Sequence, residues 1–148
     1  MLMHAMTITP PPLTETAAQL RTSTYRLVRR LRTQRIDDVS VSQFSVLVSL
    51  RAHGPLTLGE LAEREHVTAP SMNRTVNCLE EVGLLERTPA TDDRRKVWIA
   101  LTEEGAHLVD ATDRRRDAWL VEGLAGLDAD EQEIIARAAA LIRRIADR

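Results

Sequence analysis

The sequence contains few cysteine, aromatic and lysine residues. Its single cysteine, Cys78, excludes an internal disulfide framework. Two tryptophans, one tyrosine and one phenylalanine are too few for the aromatic stacking platforms that bind single-stranded nucleic acids. Lys96 is the only lysine among 20 basic residues, and this dominance of arginine favours planar, bidentate pairing over diffuse positive charge.

Long apolar runs are also missing. No stretch of about 18 apolar residues is present, so we expect no membrane span. Residues 1–12 have no apolar core of signal-peptide length and predict a flexible lead-in to a cytoplasmic protein. The sequence has no glycine-rich phosphate loop, no nucleophile elbow and no paired histidines at catalytic spacing. We therefore expect neither an enzyme nor a cofactor or metal site.

Helix signals dominate what is present. An apolar seam at heptad spacing predicts a first helix over residues 13–36. Its other face carries six arginines against one glutamate, and is either a solvated surface or one that meets phosphate or an anionic ligand. Capping boxes predict the starts of three further helices, at Ser40 with Gln43, Thr57 with Glu60, and Asp128 with Glu131. The helix after Ser40 is expected to bury Val41, Phe44, Leu47 and Val48.

The segment from Thr57 to Val82 predicts a helix-turn-helix. A short helix through Arg64 is followed by a tight turn at residues 65–67, and Thr68 caps the second helix. Two strands, 85–88 and 97–101, then flank a charged turn and predict a hairpin. A long helix beginning after Thr102 and a last helix follow. The sequence thus predicts a mainly α fold, a winged helix-turn-helix flanked by N- and C-terminal helices.

The second helix of the helix-turn-helix has the composition of a DNA-reading helix. No acid lies between His66 and Leu79, although the chain carries 22 acids. Arg, Asn, Ser and Thr side chains read base edges and anchor phosphates in the major groove. Arginines at the tip of the hairpin are suited to the minor groove, where negative potential is concentrated. A solvent-exposed helix and a solvated turn are the alternatives for each element alone. The candidate DNA-binding residues are Thr68, Ser71, Asn73, Arg74, Thr75, Asn77, Arg87, Asp93, Arg94, Arg95 and Lys96.

Residues 58–105, "LGELAEREHVTAPSMNRTVNCLEEVGLLERTPATDDRRKVWIALTEEG", resemble the multiple-antibiotic-resistance regulator (MarR) family of bacterial transcription factors. The resemblance lies in "LEEVGLLER", in an Asp-x-Arg at 93–95 and in "ALTEEG". It implies that Asp93 braces the wing and that Arg95 enters the minor groove. It also implies a repressor that a small aromatic or phenolic anion releases from DNA. Tyr25, Phe44 and Trp119 are candidate ligand-binding residues, and each is equally a candidate for plain core.

A homodimer is expected both from this resemblance and from the apolar seams of the terminal helices, which exceed what a small winged domain covers. Residues 13–36 and 106–148 would form the dimerisation region, and residues 37–105 the DNA-binding domain. Two recognition helices on one face of double-stranded DNA would then read a near-palindrome.

One feature favours a different function. Residues 57–101 carry six basic and eight acidic residues, a net charge of −2. A winged-helix protein-interaction module without DNA binding is therefore the alternative hypothesis. Cys78 has Glu80 and Glu81 nearby, which gives its thiol little reason to be acidic, so redox sensing is not expected.

Overall fold

The computed structural model describes residues 10–36, 38–93 and 95–148. The chain divides between Thr33 and Gln34 into two compact units, the first holding α1 and the second all the other elements. Over the described residues the elements are α1 (Leu13–Arg32), α2 (Val41–His53), α3 (Leu58–Arg64), α4 (Ala69–Glu81), β1 (Leu85–Pro89), β2 (Val97–Leu101), α5 (Glu103–Ala125) and α6 (Ala129–Ala146).

Helix α1 ends at Arg32, four residues before the predicted end. The Thr33 hydroxyl donates a hydrogen bond to the Arg30 carbonyl oxygen at 2.7 Å, and the Thr33 amide donates to the same oxygen at 3.1 Å. These bonds tighten the last turn and satisfy a terminal carbonyl group. The sequence predicts that Asp37 and Asp38 break this helix, and Asp37 lies outside the described residues.

The three predicted capping boxes are confirmed at the starts of α2, α3 and α6. The buried face predicted for α2 is only partly right. Leu47 is fully buried and Phe44 half-buried, but Val41 and Val48 are exposed, and Val46 and Leu50 take their places in the core. Helix α2 packs against α3, α4, α5 and β2, so its buried positions do not follow a single stripe.

The core of the second unit is built from α2, α3, α4, the hairpin and the first half of α5. Leu47, Leu61, Met72, Leu79 and Ile99 are its largest fully buried side chains. Met72, Val76 and Leu79 form the buried stripe of α4, as their helical spacing predicts. The core thereby fixes which face of α4 points to solvent.

Strands β1 and β2 pair antiparallel, with Leu85 opposite Leu101 and Pro89 opposite Val97. Ile99 also forms a bridge with Leu56 on the other edge of β2, through two backbone hydrogen bonds of 3.0 and 2.8 Å. The middle of β2 is therefore held from both sides.

Helix α5 begins at the predicted cap. The Thr102 hydroxyl accepts a hydrogen bond from the Gly105 amide at 3.1 Å and donates one to the Gly83 carbonyl oxygen at 2.6 Å. Gly83 ends the preceding segment with a φ of 77°, a left-handed conformation that favours glycine. Thr102 thus joins the end of the helix-turn-helix to the start of the long helix.

Helix α6 carries an apolar seam that remains exposed. No residue of α6 is buried, and Ile134, Leu141 and Ile145 are 62%, 52% and 55% exposed. Across the described parts of the chain, the helices are too short or too polar to cross a bilayer.

Candidate nucleic-acid interface

Helix α4 presents a polar face because its other face is fixed in the core. The Thr68 hydroxyl accepts a hydrogen bond from the Ser71 amide at 3.4 Å, and a proline follows in the first turn, where a missing N–H costs nothing. With Met72 buried, the exposed face holds Asn73, Arg74 and Asn77. These are the residue types that read base edges in a major groove.

At the wing tip, the Asp93 carboxylate organises the turn mainly through the backbone. It accepts a hydrogen bond from the Arg95 amide at 3.0 Å, and the Lys96 amide donates to the Asp93 carbonyl oxygen at 3.0 Å. The Arg95 Nε atom lies 3.6 Å from the same carboxylate, in an ion pair rather than a close hydrogen bond. The Arg95 side chain is 95% exposed and extends into solvent. Arg94, another predicted DNA contact, lies outside the described residues.

Helix α4 and the hairpin border a shared concave surface, which encloses a volume of about 500 Å³. Asn73 lines it from α4, Arg87 from β1, and Arg95 and Lys96 from the wing, while the start of α3 closes one side. Four of the predicted DNA-binding residues therefore lie around one depression. The Lys96 ammonium also stands 5.9 Å from the centre of the Trp98 ring, within range of a weak cation–π contact.

Arg87 is engaged within the protein. Its Nη2 atom donates to the Oδ1 atoms of Asn73 at 3.1 Å and of Asn77 at 2.8 Å. Its Nη1 atom pairs with the Glu80 carboxylate. Strand β1 is thereby tied to three successive turns of α4.

The remaining predicted residues differ in solvent exposure. Thr75 and Ser71 are half-buried, and the Thr75 hydroxyl donates to the Ser71 carbonyl oxygen at 3.3 Å within α4. Thr68 is exposed, but its hydroxyl caps the helix. Arg74 and Lys96 are exposed. Among these residues, the basic side chains of Arg74 and Lys96 reach solvent, whereas the hydroxyl groups of Thr68 and Thr75 bond within the protein.

Sequence reasoning missed Glu80 as the partner of Arg87. The only available signal was a pair of opposite charges seven residues apart across a helix end, which is common in any sequence. It also missed Arg116, whose guanidinium carbon lies 4.6 Å from the centre of the Phe44 ring. The Nε atom of Arg116 is buried and has no hydrogen-bond partner among the described residues, while its Nη1 atom lies 3.8 Å from Asp113.

The three candidate ligand residues belong to two different units. Phe44 and Trp119 are half-buried in the second unit, and Tyr25 belongs to α1 in the first. A groove of about 790 Å³ runs between the start of α2, the end of α4 and the start of α5, and neither Phe44 nor Trp119 lines it. Its ionisable lining residues are Asp38, Cys78, Glu81, Glu104 and His107.

The chain is similar to known transcriptional regulators over most of its length. The MarR family model matches residues 39–97. An HTH-type transcriptional regulator of Mycobacterium leprae, itself uncharacterised, is 40% identical over 132 residues, which cover 88% of this chain and 92% of the relative.

Solved structures share the fold. The crystal structure of RV1404 from Mycobacterium tuberculosis matches with a TM-score of 0.83 and 23% identity, covering 94% of this chain and 97% of that one. A Staphylococcus aureus MepR mutant bound to an oligodeoxyribonucleotide matches with a TM-score of 0.69 and 23% identity, covering 89% and 96%. The predicted mainly α winged helix-turn-helix fold is thus confirmed. The chain belongs to the MarR family and is a transcriptional regulator rather than an enzyme.

Proposed function

We propose that the chain is a repressor that acts in the cytoplasm as a homodimer on a near-palindromic site in double-stranded DNA. The observation that carries this proposal is the concave surface on which Asn73, Arg87, Arg95 and Lys96 meet. Helix α4 enters the major groove, and the wing reaches the adjacent minor groove with Arg95. The oligonucleotide bound by the MepR mutant supports the same use of this fold. Repression is what the family resemblance implies.

Dimerisation is supported by the exposed apolar seam of α6. Ile134, Leu141 and Ile145 lie on one helical face, and Ile135 and Ile142 beside them are 46% and 41% exposed. Exposed apolar stripes of this kind are typical of surfaces that bind another protein, which supports a dimer interface here. A twofold axis places two α4 helices about one DNA turn apart, which requires a near-palindromic site.

The proposed inducer is a small aromatic or phenolic anion. The stacked pair of Phe44 and Arg116 supports this ligand class, because it combines an aromatic face with a buried Nε donor that has no partner among the described residues. An anion that fits only one spacing of the two α4 helices shifts the population away from the spacing that matches DNA.

DNA binding is tested by a gel shift with a duplex taken from upstream of the chain's own gene, at low salt and against random competitor DNA. Saturable binding that survives the competitor supports the proposal. Binding that the competitor abolishes at every salt concentration contradicts it and favours the protein-interaction alternative. Neighbouring genes then supply further duplexes for measuring which promoters are bound.

The inducer class is tested on the protein–DNA complex with 4-hydroxybenzoate, and with neutral phenol as its uncharged counterpart. We expect the anion alone to release DNA, and Arg116→Gln to abolish this release while Arg115→Gln, an exposed neighbour on α5, retains it. Equal release by phenol, or an unchanged response of Arg116→Gln, would contradict the role given to Arg116.

A further inference from the structure

Arg87 fixes the orientation of two amide groups on the recognition helix. A guanidinium carries only hydrogen-bond donors, so each amide atom that faces it must be the oxygen. The Oδ1 atoms of Asn73 and Asn77 both accept from Arg87, at 3.1 and 2.8 Å. The Nδ2 donors of both asparagines are consequently the amide atoms turned away from Arg87.

The burial of these side chains agrees with that arrangement. Asn73 and Asn77 are exposed, whereas the Arg87 side chain is only 29% exposed and is paired with Glu80. Glu80 offsets the charge of Arg87, which makes Arg87 a poor phosphate contact and a good internal anchor. Arg87 is therefore less accessible than the two asparagines, although it lines the concave surface together with Asn73.

This orientation changes which base the asparagines recognise. An unconstrained asparagine pairs with adenine by accepting from N6 and donating to N7. With Oδ1 turned towards Arg87, each amide presents its Nδ2 donors outward, and these match the two acceptors of guanine, O6 and N7. An outward Nδ2 group meets the N6 donor of adenine unfavourably.

We propose that Arg87 is a specificity-determining positioning residue, which turns the amide donors of Asn73 and Asn77 outward so that they select guanine over adenine. This inference rests on the proposed function, since it requires α4 to lie in the major groove. Arg87 acts through the asparagines rather than by touching DNA itself.

The test is selection from a randomised duplex library by the full-length protein, followed by sequencing of the bound DNA. Asn73→Ala and Asn77→Ala first identify the positions of the site that depend on each asparagine. At those positions the unmodified protein is expected to prefer guanine over adenine by about fivefold or more. Arg87→Met should reduce this preference to less than about twofold, because the amides are then free to rotate.

A second variant tests the inference with Arg87 left in place. Asn73→Asp preserves an oxygen acceptor for Arg87 but removes the outward donor. We expect it to shift the preference at its position from guanine towards cytosine, whose N4 group is a donor. The matched control is Arg51→Met, which removes a different arginine paired with a carboxylate, that of Asp110 at 3.1 and 3.3 Å. It should leave every base preference unchanged.

Several outcomes would overturn the inference. One is an Arg87→Met protein that keeps its guanine preference and only binds all sequences more weakly with a shallower salt dependence, as a phosphate contact would. Others are an Asn73→Asp protein that still selects guanine, or alanine variants that alter no position. An unmodified protein that selects no sequence removes the proposed function, and this inference falls with it.

Discussion

Gly105 lies so close to the Leu84 carbonyl oxygen that a Cβ atom added to Gly105 would stand 2.2 Å from that oxygen. The contact joins the first turn of α5 to the segment that leads into the wing. Backbone atoms lie on the far side of this contact, so the clash cannot be relieved by rotating a side chain. The glycine of "ALTEEG" is therefore required by packing at this point.

Replacing Gly105 with alanine is expected to lower the free energy of unfolding by about 1–3 kcal/mol through overpacking. Urea denaturation followed by circular dichroism measures the change. The matched control is Gly123→Ala on the same helix, where an added Cβ meets nothing within 4 Å. That variant should be more stable by about 0.5–1 kcal/mol, because alanine is the better helix former. Equal effects of the two substitutions would contradict the packing explanation.

Arg95→Ala is expected to weaken binding to the selected DNA site by about 1–3 kcal/mol and to reduce the salt slope by about one. The Arg95 side chain is 95% exposed, so its removal should leave the thermal stability unchanged. Fluorescence anisotropy over a series of salt concentrations measures both quantities. Arg51→Ala serves as the control with an arginine removed elsewhere. An unaltered affinity of the Arg95 variant would disprove the minor-groove role.

Glu60 provides a pH-dependent contribution to stability. Hydrogen bonds from the Thr57 backbone amide and hydroxyl hold the pKa of its carboxyl below the ordinary value of 4.5. A carboxyl with a lowered folded-state pKa stabilises the fold above the unfolded-state pKa, and this stabilisation is lost as the pH falls through the folded-state value.

Glu60→Gln keeps an oxygen that can accept from the Thr57 amide but does not titrate. We expect the unmodified protein to be the more stable of the two at pH 7, and the difference to shrink as the pH is lowered from 4.5 towards 3. Urea denaturation at pH 7, 5, 4 and 3 measures it. Glu63→Gln, on the same helix but outside the capping box, is the control. A difference that stays constant with pH would rule out the capping carboxylate as its source.

Leu141→Asp is expected to convert the proposed dimer to a monomer, because it puts a charge in the middle of the exposed seam of α6. Sedimentation analysis measures the mass in solution. Loss of the second half-site contact should weaken DNA binding by about 100-fold or more. Ala136→Asp places the same charge on the opposite face of α6 and should preserve the dimer. Both variants behaving alike would show that the seam is not the interface.

The parts of the fold predicted correctly are those encoded locally. In each capping box the two side chains stand three residues apart, so short-range geometry decides the outcome, as Thr57 and Glu60 illustrate. The buried residues of α2 were harder to predict from the sequence, because Val46 and Leu50 are covered by elements distant in sequence. The end of α1 was likewise misjudged, since Thr33 closes the helix through hydrogen bonds that its residue type alone does not specify.

In the candidate site, too, local features were predicted from the sequence and contacts between distant elements were not. The sequence identified the exposed face of α4. The family resemblance implied that Asp93 braces the wing, and in the turn its carboxylate accepts a hydrogen bond from the Arg95 backbone amide. The contacts of Arg87 with α4 depend on how the strand crosses the helix. That crossing is set by the core and leaves no periodic signal in the sequence.

The double attachment of β2, to β1 on one edge and to Leu56 at Ile99 on the other, has a mechanical consequence. The bridge ties β2 to the segment before α3, and the contacts of Arg87 tie β1 to α4, so we expect the wing and the recognition helix to move together. In the proposed dimer, the spacing of the two recognition helices then changes through the distance and the tilt between the two protomers. Changing this distance by a fraction of a DNA turn is then enough to end recognition, and no part of either protomer has to unfold.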